Sequence, residues 1–227
     1  TNYNRKYLSD VSESDFESID SVVHLAGLQN DPLKDILPGK VYDIEFEYTK
    51  KISNICKKKN IKLIYISSCS VYGSGRDCEY LDENSQTNPL TPYSKNKLRI
   101  EKYLESISTD AFKPIILRFA TVFGYSPRMR FDLYLNQFLA MTLSEKKIHL
   151  NSDGSAWRPN LYIGDVPEVI ESCLALDNQS STIINIGNHK SNFQIIDVVK
   201  KIKKIHKDLD FKYIEKDNTG LYSDHYV

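Results

Sequence analysis

The feature that most constrains this chain is a repeated order of short β-branched runs separated by helical stretches. Ser-Val-Val-His-Leu-Ala at 21–26, Ile-Lys-Leu-Ile-Tyr-Ile-Ser at 61–67 and Pro-Ile-Ile-Leu-Arg-Phe at 114–119 read as strands. Between the first two, Val41, Ile44, Tyr48, Ile52 and Ile55 recur at three- and four-residue spacing. Lys57, Lys58 and Lys59 close that stretch with the positive charge a helix C-terminus favours. Between the second and third, residues 93–106 repeat the helical pattern through Leu98, Tyr103 and Leu104. Strand, helix, strand, helix, strand predicts an α/β fold whose parallel sheet is joined by crossover helices. Ligands of such sheets bind beyond the C-terminal strand ends. Ala26-Gly27, Ser67-Ser68 and Ala120-Thr121 are therefore expected to line one crevice.

After Gly124 the alternation loosens into Tyr-Ser-Pro-Arg-Met-Arg at 125–130, followed by a helical pattern through Leu133, Phe138 and Met141. A division at 1–125 and 126–227 is expected, with 160–190 the stretch that could return to the first sheet. Ile195, Val198, Val199, Ile202 and Ile205 form an apolar stripe, and Lys200, Lys201, Lys203 and Lys204 read as its solvated opposite face. The 227 residues are 41% hydrophobic and carry a formal net charge of +0, so no whole-molecule field draws in nucleic acid or an anionic membrane surface. Cys56, Cys69, Cys78 and Cys173 lack metal-ligand spacing and a histidine partner. No metal site is expected, and free thiols fit a reducing, cytoplasmic setting. No apolar run has the length of a membrane span.

Chemistry enters with Tyr93-Ser-Lys-Asn-Lys97, a phenol and an ammonium one turn apart on the same helical face. A phenol, with an ordinary pKa of about 10, becomes a base near neutral pH only if its anion gains roughly 4 kcal/mol of preferential stabilisation. A buried lysine supplies charge of the right sign. The spacing alone is weak, since a chain rich in Tyr and Lys produces it on ordinary amphipathic helices. Ser67-Ser-Cys-Ser-Val-Tyr-Gly73 at the preceding strand end adds a hydroxyl within reach of the oxygen the phenol would deprotonate. Alone, that segment equally reads as a serine-rich turn.

Together with the strand order, these segments resemble the extended short-chain dehydrogenase/reductases, specifically the NAD-dependent nucleotide-sugar epimerase/dehydratase type, and the resemblance covers nearly the whole chain. It implies a Rossmann-type parallel sheet lacking its first strands, with a smaller C-terminal substrate-binding domain. It implies Ser68, Tyr93 and Lys97 as the catalytic set. Tyr93 removes a sugar hydroxyl proton, Ser68 hydrogen-bonds that oxygen, and Lys97 binds the nicotinamide ribose. By the same resemblance Asp10 and Val11 hold the adenine, Leu25, Ala26 and Gly27 pass the phosphates and ribose, and Ser67 and Phe119 lie beside the cofactor. Ser68, Cys69, Ser70 and Thr121 meet the substrate, and Arg158 in Trp157-Arg-Pro-Asn-Leu-Tyr grips its diphosphate, a role suited to a planar guanidinium. The implied cofactor is NAD, with NADP still open, and the implied partner is a nucleotide-diphosphate sugar, with a homodimer expected of the family. The implied activity is 4-epimerisation or a related 4-oxidoreduction. An NADPH-dependent keto-sugar reductase and a non-catalytic binding protein are the alternatives. Each residue also has a plainer role: His24 as a satisfied core histidine, Arg118 as an ion pair at a domain interface, Trp157 and Cys69 as packing residues.

The sequence departs from the family in several places. No G-x-G-x-x-G loop occurs among the nine glycines, from which an N-terminal truncation is expected, and a segment without that loop is expected neither to bind cofactor well nor to fold stably alone. Glu45 stands where many relatives carry a site-ordering asparagine, and Tyr48-Thr49 where a Gly-Thr pair is usual. Dehydratases of the family carry an Asp-Glu pair after the Ser68-like position; here Cys69 and Ser70 follow, which disfavours dehydration. Cys69 matches the epimerisation base of the GDP-fucose synthase type, but Tyr125 follows Gly124 where its histidine partner is expected. Thr121, Arg128 and Arg130 point to a pocket unlike that of ordinary UDP-glucose 4-epimerases.

Overall fold

The computed structural model describes residues 6–27, 38–73, 80–176 and 182–213. In chain order its elements are β1 (Ser21–His24), α1 (Pro38–Lys59), β2 (Lys62–Ser68), α2 (Pro92–Ser106), β3 (Ile115–Phe119), β4 (Thr121–Phe123), α3 (Tyr134–Glu145), β5 (Lys147–Leu150), β6 (Trp157–Tyr162), α4 (Val166–Ala175), β7 (Thr182–Ile186), β8 (Asn192–Gln194), α5 (Ile195–Ile205) and β9 (Asp210–Tyr213). They form two compact units. The first comprises Thr1–Val71, Pro89–Arg118 and Ile170–Ile184; the second Tyr72–Asn88, Phe119–Val169 and Asn185–Val227.

The first unit is built on a sheet of order β1-β2-β3-β7, the fold class the alternation predicts. β1 pairs with β2 in parallel, placing His24 opposite Tyr65. Every residue of β3 is buried, as a strand covered on both faces requires. Leu63 and Tyr65 of β2 point into a core shared with Ile52 and Cys56 of α1 and Ile100 and Leu104 of α2. β1 ends two residues before the apolar run does, and Leu25 beyond it is 64% exposed. Helix α1 stops at Asn60, whose φ of 55° is the left-handed value a helix C-terminus uses, and the Ile61 N–H returns to the Cys56 carbonyl at 2.8 Å.

The inward face of α1 is set by more than its apolar residues. The helix is where the periodicity puts it, but Tyr42, Glu45, Thr49, Ile52 and Cys56 are buried, while Ile44 is 53% exposed. The buried stripe is turned by about one residue from the apolar one. Glu45 and Thr49 tolerate burial because each meets polar partners on neighbouring elements.

In the second unit β4 pairs in parallel with β6, which pairs antiparallel with β8, and β5 pairs in parallel with β9. Phe138 of α3, Ile148 and Leu150 of β5, and Val198, Val199 and Ile202 of α5 share its core. The α5 stripe is as read except at Ile205, which is 79% exposed because the helix ends there and the last turn leaves the core.

Candidate active site

Helix α2 presents the site. Thr91 caps it: its hydroxyl accepts from the Ser94 N–H at 3.1 Å, the Ser94 hydroxyl accepts from the Thr91 N–H at 3.0 Å, and Pro92 opens the first turn with a φ already suited to helix. Tyr93 is thereby fixed in that turn, half-buried, at the positive end of the helix dipole. One turn on is Lys97, buried, with its ammonium 5.7 Å from the Tyr93 ring centre. Another turn on is Glu101, fully buried.

Lys97 Nζ donates to Glu45 Oε1 of α1 at 3.2 Å, to the Tyr65 phenol oxygen at 3.1 Å and to the Ile66 carbonyl of β2 at 3.2 Å. Those bonds account for the three protons of an ammonium. Burial acts against its charge, but attraction to Tyr65, Tyr93 and Glu45 outweighs it, and the Lys97 pKa stands above its ordinary value. Asn96 donates to the other Glu45 oxygen at 3.1 Å. His24 Nε2 lies 3.0 Å from the Thr49 hydroxyl, which donates to the Glu45 carbonyl at 2.9 Å. Burial, then the Lys97 charge, push the His24 pKa down to about 4, so its imidazole is neutral at physiological pH. His24 is the satisfied core histidine that its strand position allows.

Ser67 and Ser68 take opposite sides of β2 and have different surroundings. The Ser67 hydroxyl donates to Glu101, which also receives Arg118 Nη2 at 2.7 Å. Arg118 is ion-paired, as its plainer role anticipates, but its partner is on α2 within the first unit. The Ser68 hydroxyl accepts the Ser70 N–H at 3.2 Å, and the Cys69 thiol lies 3.2 Å from the Arg118 carbonyl. Ser70 Oγ is buried with no hydrogen-bond partner among the described residues.

The remaining residues are spread more widely. Gly27 is close to Lys97 and Glu45: a side-chain carbon there would come within 2.8 Å of Glu45 Oε1 and 3.2 Å of Lys97 Nζ. Asp10 is exposed and accepts from the Ser9 hydroxyl, while Val11 packs on the first unit's core. Phe119, Thr121 and Arg158 belong to the second unit. Arg158 lies on β6 and bonds the Trp157 carbonyl at 2.8 Å, and Trp157 is 40% exposed rather than packed inside. Cys78 lies outside the described residues.

Sequence reasoning assigned no site role to Tyr65 or Asn96, and Glu45 entered only as a departure. One signal was available for Tyr65: a phenol in the middle of a largely buried strand needs a polar partner for its hydroxyl. Gly27, Lys97 and Tyr93 are the residues that could border a nicotinamide nucleotide. Gly27 leaves backbone open beside a charged lysine and a half-buried phenol, although Lys97 must exchange one protein bond to reach a ribose. Among the described residues no group of three His, Cys, Asp or Glu could hold a metal ion, and no helix is long and apolar enough to cross a membrane.

A family model described as the NAD dependent epimerase/dehydratase family matches residues 7–187. The chain is 28% identical over 194 residues to an uncharacterised UDP-glucose epimerase of Bacillus subtilis, covering 83% of this chain and 59% of that protein. It is 28% identical over 202 residues to a dTDP-D-glucose 4,6-dehydratase of Dictyostelium discoideum, covering 83% and 45%. It spans about half the length of the curated relatives it matches. Among solved structures, UDP-glucuronic acid 4-epimerase from Bacillus cereus, in complex with UDP-glucuronic acid and NAD, superposes with a TM-score of 0.80 at 26% identity, covering 93% of this chain and 68% of that one.

Proposed function

This chain belongs to the NAD dependent epimerase/dehydratase family, and on that premise we propose that the protein is a nucleotide-sugar 4-epimerase, or a closely related 4-oxidoreductase, working with NAD. The observation that carries this reading is the half-buried Tyr93 phenol in the first turn of α2 beside the buried, charged ammonium of Lys97. Tyr93 takes the proton of the sugar 4-hydroxyl and later returns it. The Ser68 hydroxyl holds that same oxygen, and Cys69 and Ser70 follow it on the substrate side. Lys97 keeps a positive charge beside the phenol and exchanges one of its three protein bonds for a ribose hydroxyl. Bound NAD would supply the hydride acceptor and donor at that carbon, the chemistry that inversion there requires.

In this reading Asp10, Val11, Leu25, Ala26, Gly27, Ser67 and Phe119 border the cofactor, and Thr121 and Arg158 meet the substrate, Arg158 at the diphosphate. Residues 1–125 are read as the cofactor-binding domain and 126–227 as mainly the substrate-binding one, with 160–190 the stretch that could return to the first sheet. Support for the substrate class comes from the relatives, whose names specify UDP-, ADP- and dTDP-linked sugars. Some relatives are 4,6-dehydratases. Water elimination needs an acid and a base beyond Tyr93, however, and Cys69 and Ser70 occupy the positions after Ser68.

The test is turnover of UDP-sugars with analysis of both sugar and nucleotide. Inversion at the 4-carbon without net NAD consumption is the expected outcome, whereas NADPH loss in proportion to product would identify a keto-sugar reductase. Tyr93→Phe is expected to lower turnover by at least about a hundredfold, the scale of a general base. Unchanged turnover would remove Tyr93 from the chemistry and favour a non-catalytic binding protein.

A further inference from the structure

We infer that Glu45 is a positioning residue whose buried carboxylate holds Lys97 and sets the pH range in which Tyr93 works. The inference rests on the catalytic reading of Tyr93 and Lys97 above. Glu45 and Lys97 form a buried ion pair at 3.2 Å, with side-chain exposures of 3% and 8%. Asn96 ties down the second carboxylate oxygen, so both oxygens of the Glu45 carboxylate are held by neighbouring residues of α2. Water does not screen a pair this deep. The ammonium that should stabilise the Tyr93 anion is therefore partly neutralised from behind.

The ionisable groups around Lys97 are His24 from β1, Glu45 from α1, Tyr65 from β2 and Tyr93 on its own helix. His24 is neutral near physiological pH and Tyr65 is held protonated by burial. Glu45 is thus the formal anion facing Lys97 in this group. Its negative charge opposes formation of a second anion at Tyr93, both directly and by pairing with Lys97. An uncharged amide at position 45 would leave the ammonium's field undiminished.

The experiment compares wild type with Glu45→Gln and Glu45→Asp, following the pH dependence of kcat/KM and, separately, the near-ultraviolet tyrosinate absorbance that disappears in Tyr93→Phe. Glu45→Gln is expected to move the acid limb and the tyrosinate titration together toward lower pH by about one unit, a tenfold gain at a fixed pH on that limb. Glu45→Asp keeps the charge but withdraws it by one methylene, and is expected to show a smaller shift in the same direction. A folded Glu45→Gln protein with both measurements unmoved would overturn the inference. If Glu45→Gln does not fold, the tyrosinate titration of Glu45→Asp decides: displacement toward acid supports the inference and an unmoved titration overturns it. Tyr93→Phe separates this from the catalytic reading. Full turnover without the Tyr93 hydroxyl defeats that reading, whereas dependence on Tyr93 with an indifferent Glu45 defeats only the inference.

Discussion

His24 shows how one buried side chain links the active site to stability. Its imidazole is shut between β1 and α1 against Thr49, and burial together with the Lys97 charge holds it neutral down to a pH of about 4. In the unfolded chain the same group takes a proton below about 6.5. Between those values the unfolded state binds more protons than the folded one, so stability is full above about 6.5 and falls as pH drops toward 4. The gap corresponds to about 3 kcal/mol. Denaturant melts of wild type and His24→Asn should therefore diverge: wild type is expected to lose about 3 kcal/mol more than the variant on going from neutral pH to about 4. Equal losses would place the proton uptake elsewhere.

At the scale of elements, α2 joins the candidate site to the sheet. Tyr93, Lys97 and Glu101 follow at four-residue intervals on one face, so the helix offers β2 and β3 a phenol, an ammonium and a carboxylate in succession. Tyr65 and Ser67 alternate correctly on β2 to meet the last two. Glu101 also binds the Arg118 guanidinium at 2.7 Å through one oxygen, with Nε 3.2 Å from both, and the two side chains are 1% and 4% exposed. Breaking one half of such a pair leaves the other buried and uncompensated. Glu101→Gln is expected to cost about 3–5 kcal/mol. Substitution of Asp208, whose pair with Lys146 is exposed, should cost much less. Chemical denaturation of the two variants checks the contrast, and similar losses would contradict the ranking.

Over the whole molecule, positive and negative side chains balance, thirty of each. In the proposed function, recognition of an anionic diphosphate would rest on local groups such as Arg158 rather than on a steering field. Raising ionic strength from about 0.01 to about 0.15 M shortens the screening length from about 30 to about 8 Å. With little long-range attraction to lose, kcat/KM is expected to change less than about threefold. A steep decline would reveal a concentrated positive field that the balanced composition hides.

The sequence by itself determined the order of strands and helices, the parallel sheet and the placement of Tyr93 and Lys97 one turn apart. These follow from periodicity and from helix geometry, which act over a few residues and need no knowledge of neighbours. The same local rules do not say which face of α1 turns inward: Ile44, one of the recurring apolar residues, is 53% exposed. Only the tertiary structure decided that Glu45 and Thr49 turn inward, since partners 25 to 52 residues away in sequence make burial of those polar groups tolerable. It likewise set Tyr65 against Lys97, paired Arg118 with Glu101 and left Trp157 exposed. Periodicity records where apolar side chains fall. Whether a charge can be buried depends on what stands opposite it, and that is known only once the chain has folded.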